Sequence, residues 1–248
     1  MVNYMNLTKI SLTLFVIISA VSVQVSYGAI ALDRTRVIYN EGEKSVSIGL
    51  TNESKDKPYL SQVWLEDDKD QKINSPFIIT PPVQRIEATS KSQIKIQAIA
   101  NITALPKDRE SVYYVNVREI PPRSTDINVL QIALQTRIKL FYRPKDIGSN
   151  ERMEENPLAK KVTLTKSGSN YIVNNPSPYH LTITRVDAND KELTNFEALM
   201  ISPFTQENLG SNVTNLGVSP SLYYLNDFGG LAKLTFNCQG LQCTVNSK

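Results

Sequence analysis

Cysteine, histidine and surplus charge of either sign are all scarce in this chain. Of its 248 residues two are cysteine, Cys238 and Cys243, and one is histidine, His180. So few of the usual ligands argue against a zinc or transition-metal centre, and no cofactor is expected. Lysine and arginine number 27 against 24 aspartates and glutamates, a formal net charge of +3. That field is too weak to point to nucleic acid or anionic lipid. A glycine-rich phosphate loop and a nucleophile motif are both missing. Carboxylates such as Glu110, Asp67 and Asp68 could in principle form an acid–base pair. With nothing else to support them, no catalytic residues are assigned and an enzyme is not expected. No window shows an amphipathic helix of three turns. Past the N-terminus no run approaches the 18 apolar residues of a membrane-spanning helix.

What is present starts with the N-terminus. Residues 10–25, "ISLTLFVIISAVSVQV", form an apolar core, and Lys9 is the only charge among the first 28 residues. "SYG" follows, with small residues at Ser26 and Gly28, the pattern of a secretory signal cleaved after Gly28. A transmembrane anchor is the alternative, but the span is short and interrupted by Ser, Thr and Gln. Residues 1–28 therefore read as a signal peptide of a soluble, exported protein. In an oxidising compartment Cys238 and Cys243 read as a local disulfide, with a pair of buried free thiols as the plainer alternative.

Behind the signal, segments of two-residue periodicity alternate with turns. "AIALDRTRVIY", "KSVSIGLTN", "PYLSQVWLE", "SQIKIQAIA" and "SVYYVNVREI" read as strands. The polar stretch "KDIGSNERMEENP" reads as a linker or domain-edge loop. Strands resume with "KKVTLT", "NYIVNN", "HLTITRV", "PSLYYLND" and "LAKLTFNC". Many short strands with turn signals between them predict an all-β protein of two sandwich domains. The first is placed at residues 29–149 and the second at 150–248.

One segment does not fit a small sandwich. In "VLQIALQTRIKLFYRP", residues 129–144, every second position from Leu130 to Tyr142 is apolar except Thr136. At about 3.3 Å per residue the run would extend about 50 Å, whereas an ordinary strand spans about 20 Å. An exposed apolar strand invites aggregation unless something pairs with it. Either a bend carries it from one sheet to the other, or a foreign polypeptide completes its burial.

"ALDRTRVIYNEGEKSVSIGLTNES", "PYLSQVWLED", "PFIITPPVQRIEATSKSQIKI", "LPKDRESVYYVNVREIPPRS" and "NVLQIALQTRIKLFYRP" together resemble the periplasmic pilus-assembly chaperones of Gram-negative bacteria, the PapD-like family. "YLNDFGG" and the Cys238/Cys243 pair extend the likeness into the second domain. The resemblance implies two immunoglobulin-like sandwiches set as a boomerang. It also implies a donor strand that fills the open groove of an incomplete pilus subunit, with Leu130, Ile132 and Leu134 as the donated side chains. Residues 138–142 would stay in the chaperone's own core. Arg36 and Lys139 match the pair that binds the subunit's C-terminal carboxylate. Arg34 and Arg137, two residues before each, are not separable from them by pattern alone. Glu110, Arg143 and Asp227 match an interdomain ion-pair network, a structural clamp. The short "PPRSTDIN" loop resembles the class serving thick adhesive pili. The "TPP" at residues 80–82 is a candidate for a cis peptide.

The partners implied are pilus subunits and an outer-membrane usher, with self-association as an option when no subunit is bound. A secreted immunoglobulin-like adhesion or structural module is the competing reading. Two apparent domains and a surplus strand favour the donor.

Overall fold

The computed structural model describes residues 28–124, 128–148 and 161–246. Nearly all of the expected signal segment, most of the linker stretch and part of the "PPRSTDIN" loop lie outside the described residues.

The first apolar run does not make one strand. It yields β1 (Ile30–Leu32) and β2 (Arg36–Asn40). Residues 33–35 between them carry the chain across the domain. β1 pairs antiparallel with β3 (Val46–Asn52), while β2 lies parallel to β10 (Gln135–Arg143), which belongs to the opposite sheet. The intervening strands are β4 (Tyr59–Glu66), β5 (Lys72–Ile73), β6 (Phe77–Thr80), β7 (Val83–Ile86), β8 (Lys91–Ala98) and β9 (Ser111–Ile120). One sheet runs β1-β3-β8-β6, and the other β2-β10-β9-β4-β5 with β7 against β4.

Alternation sends Ile48, Leu50, Ile94 and Ile96 inward from the first sheet, and Val63, Leu65, Val115, Val117, Ile138 and Leu140 inward from the second. Phe77 meets Tyr39 and Tyr113 edge-on between them. β6 and β7 were not expected from the pattern, because prolines break "SPFIITPPVQ" into pieces too short to show periodicity. The Ser75–Pro76 and Thr80–Pro81 peptides are both cis.

The second domain comprises β11 (Thr163–Ser167), β12 (Asn170–Asn175), β13 (Leu181–Ala188), β14 (Lys191–Glu192), β15 (Leu199–Ile201), β16 (Thr205–Asn208), β17 (Ser221–Leu225), β18 (Leu231–Gln239) and β19 (Gln242–Val245). β18 ties its two halves together. Its first part, to Thr235, pairs with β17, and its remainder, from Phe236, pairs with β19. Leu164, Val173, Ile183, Leu222 and Phe236 meet in the core. Cys238 and Cys243 face each other across β18 and β19 and are joined as a disulfide. Helical structure is confined to short 3-10 pieces such as Ala100–Ala104 and Lys145–Ile147 among the described residues.

The apolar run of residues 129–144 is corrected in one respect. It is not a continuous strand of about 50 Å, because β10 begins only at Gln135. The cause lies in its neighbours. β9 ends at Ile120, and Pro121 and Pro122 follow, which have no N–H to continue the ladder. On the other side β2 reaches only as far as Lys139. Residues 129–134 therefore run beside no partner strand among the described residues.

Candidate functional site

The stripe divides at that point. Ile138, Leu140 and Tyr142 are buried in the first core, whereas Leu130, Ile132 and Leu134 are 84%, 63% and 45% exposed. Three large aliphatic side chains of one alternating set thus stand in solvent. Leu134 holds the root of this stretch, its carbonyl accepting the Glu119 N–H at 2.9 Å.

Arg36 and Lys139 are direct partners in the parallel register of β2 and β10. Two cations on adjacent strands repel. Arg36 donates from one terminal nitrogen to the Leu225 carbonyl at 3.2 Å, and its buried Nε has no partner. Among the described residues no carboxylate forms an ion pair with either side chain. Burial, then the neighbouring Arg36 and Arg137, hold the Lys139 ammonium below the ordinary lysine value. Burial likewise lowers Arg36, against the pull of Asp227 and Glu110.

The two confusable arginines behave differently. Arg34 lies outside the strands and is bound to Asp33 at 2.9 and 3.0 Å. Arg137 shares the Lys139 face of β10, but it pairs with Glu66 at 3.2 Å and with Asp70, and stacks on Tyr114. Each of them already has its carboxylate.

Arg143, at the end of β10, is buried with Glu110 at the domain junction. It donates from Nε and Nη2 to Glu110 Oε1, and from Nη1 and Nη2 to Asp227 of the second domain, at 2.7–3.0 Å. Although burial disfavours the charge, these hydrogen bonds and carboxylates hold the guanidinium well above its ordinary value. The structure brings Glu110, Arg143 and Asp227 into one cluster. Glu110 does not join Asp67 or Asp68: Asp67 caps the β4–β5 turn, accepting the Lys69 and Gln71 amides at 2.9 Å.

Residues 29–148 match the family described as pili and flagellar-assembly chaperone, PapD N-terminal domain. Residues 157–236 match the pili assembly chaperone PapD, C-terminal domain. The chain belongs to the PapD-like family of pilus-assembly chaperones. It is 44% identical to the probable fimbrial chaperone YfcS of Escherichia coli (strain K12), covering 96% of this chain and 94% of that protein. It is 42% identical to the chaperone protein PapD of Escherichia coli, covering 89% and 91%. Among solved structures it is similar to the YadV chaperone, at 38% identity and a TM-score of 0.68, over 85% of this chain and 100% of that one. It is also similar to the periplasmic chaperone SfaE, at 32% identity and a TM-score of 0.66, over 83% and 98%. The adhesion-module reading gives way to that of a periplasmic pilus-assembly chaperone.

Within this PapD-like chaperone the sequence reading missed how far the junction extends. His180 immediately precedes β13, and its ring is buried there. Its backbone N–H donates to Glu110 Oε2 at 2.8 Å, its Nδ1 lies 3.3 Å from the same oxygen, and its ring lies 5.4 Å from that of Phe141. Tyr179 underlies the Arg143 guanidinium at 4.8 Å and donates its hydroxyl to Ile147. The aromatic pair Tyr179–His180 between prolines and a strand was the available signal.

Proposed function

We propose that this chaperone captures pilus subunits by lending residues 129–134 as a missing strand. Leu130, Ile132 and Leu134 would enter the subunit's groove, while Arg36 and Lys139 bind its C-terminal carboxylate. The observation that carries the reading is that the exposed aliphatic triad leads along one continuous segment to Lys139, whose partner across the strand pair is Arg36, neither cation forming an ion pair with a carboxylate among the described residues. A carboxylate leaving water needs charged donors, and this pair supplies them at a fixed register. The register matters because a slip of one residue turns every donated side chain away from its pocket. Glu110, Arg143 and Asp227 act as a structural clamp between domains rather than as contact residues.

The donated side chains are tested by Ile132→Ala. Burial of an isoleucine contributes about 1.5–3 kcal/mol, so subunit affinity falls by about 10- to 100-fold. The melting temperature of the free chaperone, measured at a dilution where it is monomeric, stays unchanged, because the side chain is exposed in the single chain. Unaltered affinity in a titration of subunit would overturn the donor role.

The chain is exported by a signal cleaved after Gly28, binds subunits as they arrive, and delivers them to an outer-membrane usher. It acts by binding, without catalysis and without ATP. In the absence of subunit the aliphatic triad is covered by a second copy of the chain. Sedimentation then shows association that increases with concentration and disappears when Leu130, Ile132 and Leu134 are replaced by serine. A monomer at every concentration would remove this last point alone.

A further inference from the structure

Glu119 presents an unsolved charge. It lies on β9 and is 6% exposed, yet no cation forms an ion pair with it among the described residues. A buried carboxylate without a cation is costly. Its Oε2 accepts the N–H of Ile30, the first residue of β1, at 2.8 Å. A Cβ added to Gly28 would stand 3.2 Å from that oxygen and 3.6 Å from the Leu134 side chain. The amide nitrogen of Ala29 lies between these two residues, within about one residue spacing of the Ile30 nitrogen, 3.8 Å or less.

We propose that Glu119 is the receptor for the chaperone's own processed N-terminus. Signal cleavage hydrolyses the Gly28–Ala29 amide: water adds, the carboxylate departs with the leader, and the Ala29 nitrogen takes up protons as an α-ammonium. That ammonium supplies the cation Glu119 lacks. The Ile30 N–H and the ammonium then occupy the carboxylate together, tying β1 to the end of β9. Glu119 also donates its backbone N–H to Leu134. Processing thus clasps the base from which residues 129–134 emerge. The unprocessed chain has an uncharged amide at residue 29 and cannot make this pair. The inference rests on the cleavage position proposed above and not on subunit capture.

The test uses protein secreted to the periplasm and cut there. Mass spectrometry first reads the N-terminus, which is expected to be Ala29; any other start overturns the proposal and leaves subunit binding intact. The rate of α-amine acylation by an activated ester near neutral pH is then compared with that of Glu119→Gln. One unit of pKa is tenfold in free amine, so the variant is expected to label about tenfold faster. A second protein carries one alanine inserted between Gly28 and Ala29, moving the new ammonium by one residue. In that protein Glu119→Gln changes the labelling rate less than twofold and lowers the melting temperature less than it does in the natural sequence. Equal labelling rates with and without Glu119 would overturn the proposal, as would equal losses of melting temperature in the two backgrounds.

Discussion

Lys139→Ala is expected to leave a folded protein that no longer protects pilus subunits, and Arg36→Ala to do the same. Neither side chain holds an internal carboxylate among the described residues, so truncation breaks no ion pair of the chaperone itself. Removing Lys139 even relieves the repulsion from Arg36 across the strand pair. Toward a carboxylate the balance reverses. A charge-assisted hydrogen bond contributes about 1.5–3 kcal/mol, so each substitution lowers subunit affinity by about 10- to 100-fold or more. Recovery of subunit from periplasm by co-purification reads the effect, and circular dichroism reads the fold. Normal recovery with both variants would end the carboxylate reading. The pH dependence has a definite sign. Burial and the two arginines lower the free Lys139 value, and a bound carboxylate raises it again. Affinity is therefore full while free Lys139 is protonated, and it falls as pH rises through that lowered value. The decline begins at a less alkaline pH than an ordinary lysine would give.

Arg143→Ala is expected to cost about 3–5 kcal/mol, because it leaves the buried Glu110 carboxylate without its cation. The effect should exceed that of any exposed pair on this molecule, such as Arg85 with Glu87, which contributes little. Arg143→Lys should not restore it. One ammonium cannot supply both the Nε and Nη2 bonds to Glu110 and the two bonds to Asp227. Denaturation followed separately by a probe in each domain reads the loss and shows whether the domains uncouple, since a two-domain protein need not unfold in one step. An unchanged midpoint for Arg143→Ala would refute the clamp.

Period-two patterning located most long strands, because each keeps one face in a core. It failed where that rule has no purchase. β16, with the sequence TQEN, has no buried apolar position to announce it, and β6 and β7 are four-residue strands bounded by Pro76, Pro81 and Pro82. The break between β1 and β2 was invisible because both halves are apolar; only pairing to different sheets separates them. At the site, the exposed triad was legible as an excess of apolar length. Arg36 and Arg34 could not be told apart in one dimension, since the difference between them is that Asp33 pairs with Arg34, whereas no carboxylate among the described residues forms an ion pair with Arg36. Glu110, Arg143 and Asp227 lie too far apart in sequence for spacing to join them, and only the family likeness did so. Glu119 left no signal, being one acidic residue near the end of a strand.

β2 occupies the outer lane beside β10 only from Lys139 onward, and among the described residues no strand pairs there toward Leu130. A guest segment entering that open lane with its terminal carboxylate at Arg36 must stop head-on against β2. Its direction is thereby decided: it travels the same way as β10, so the two backbones lie parallel. It is also measured, since Leu134 and Leu130 lie about 17 Å and about 30 Å from Lys139 along an extended chain. A subunit shortened or lengthened by one residue at its C-terminus would present the wrong face to every donated side chain while still satisfying the cations.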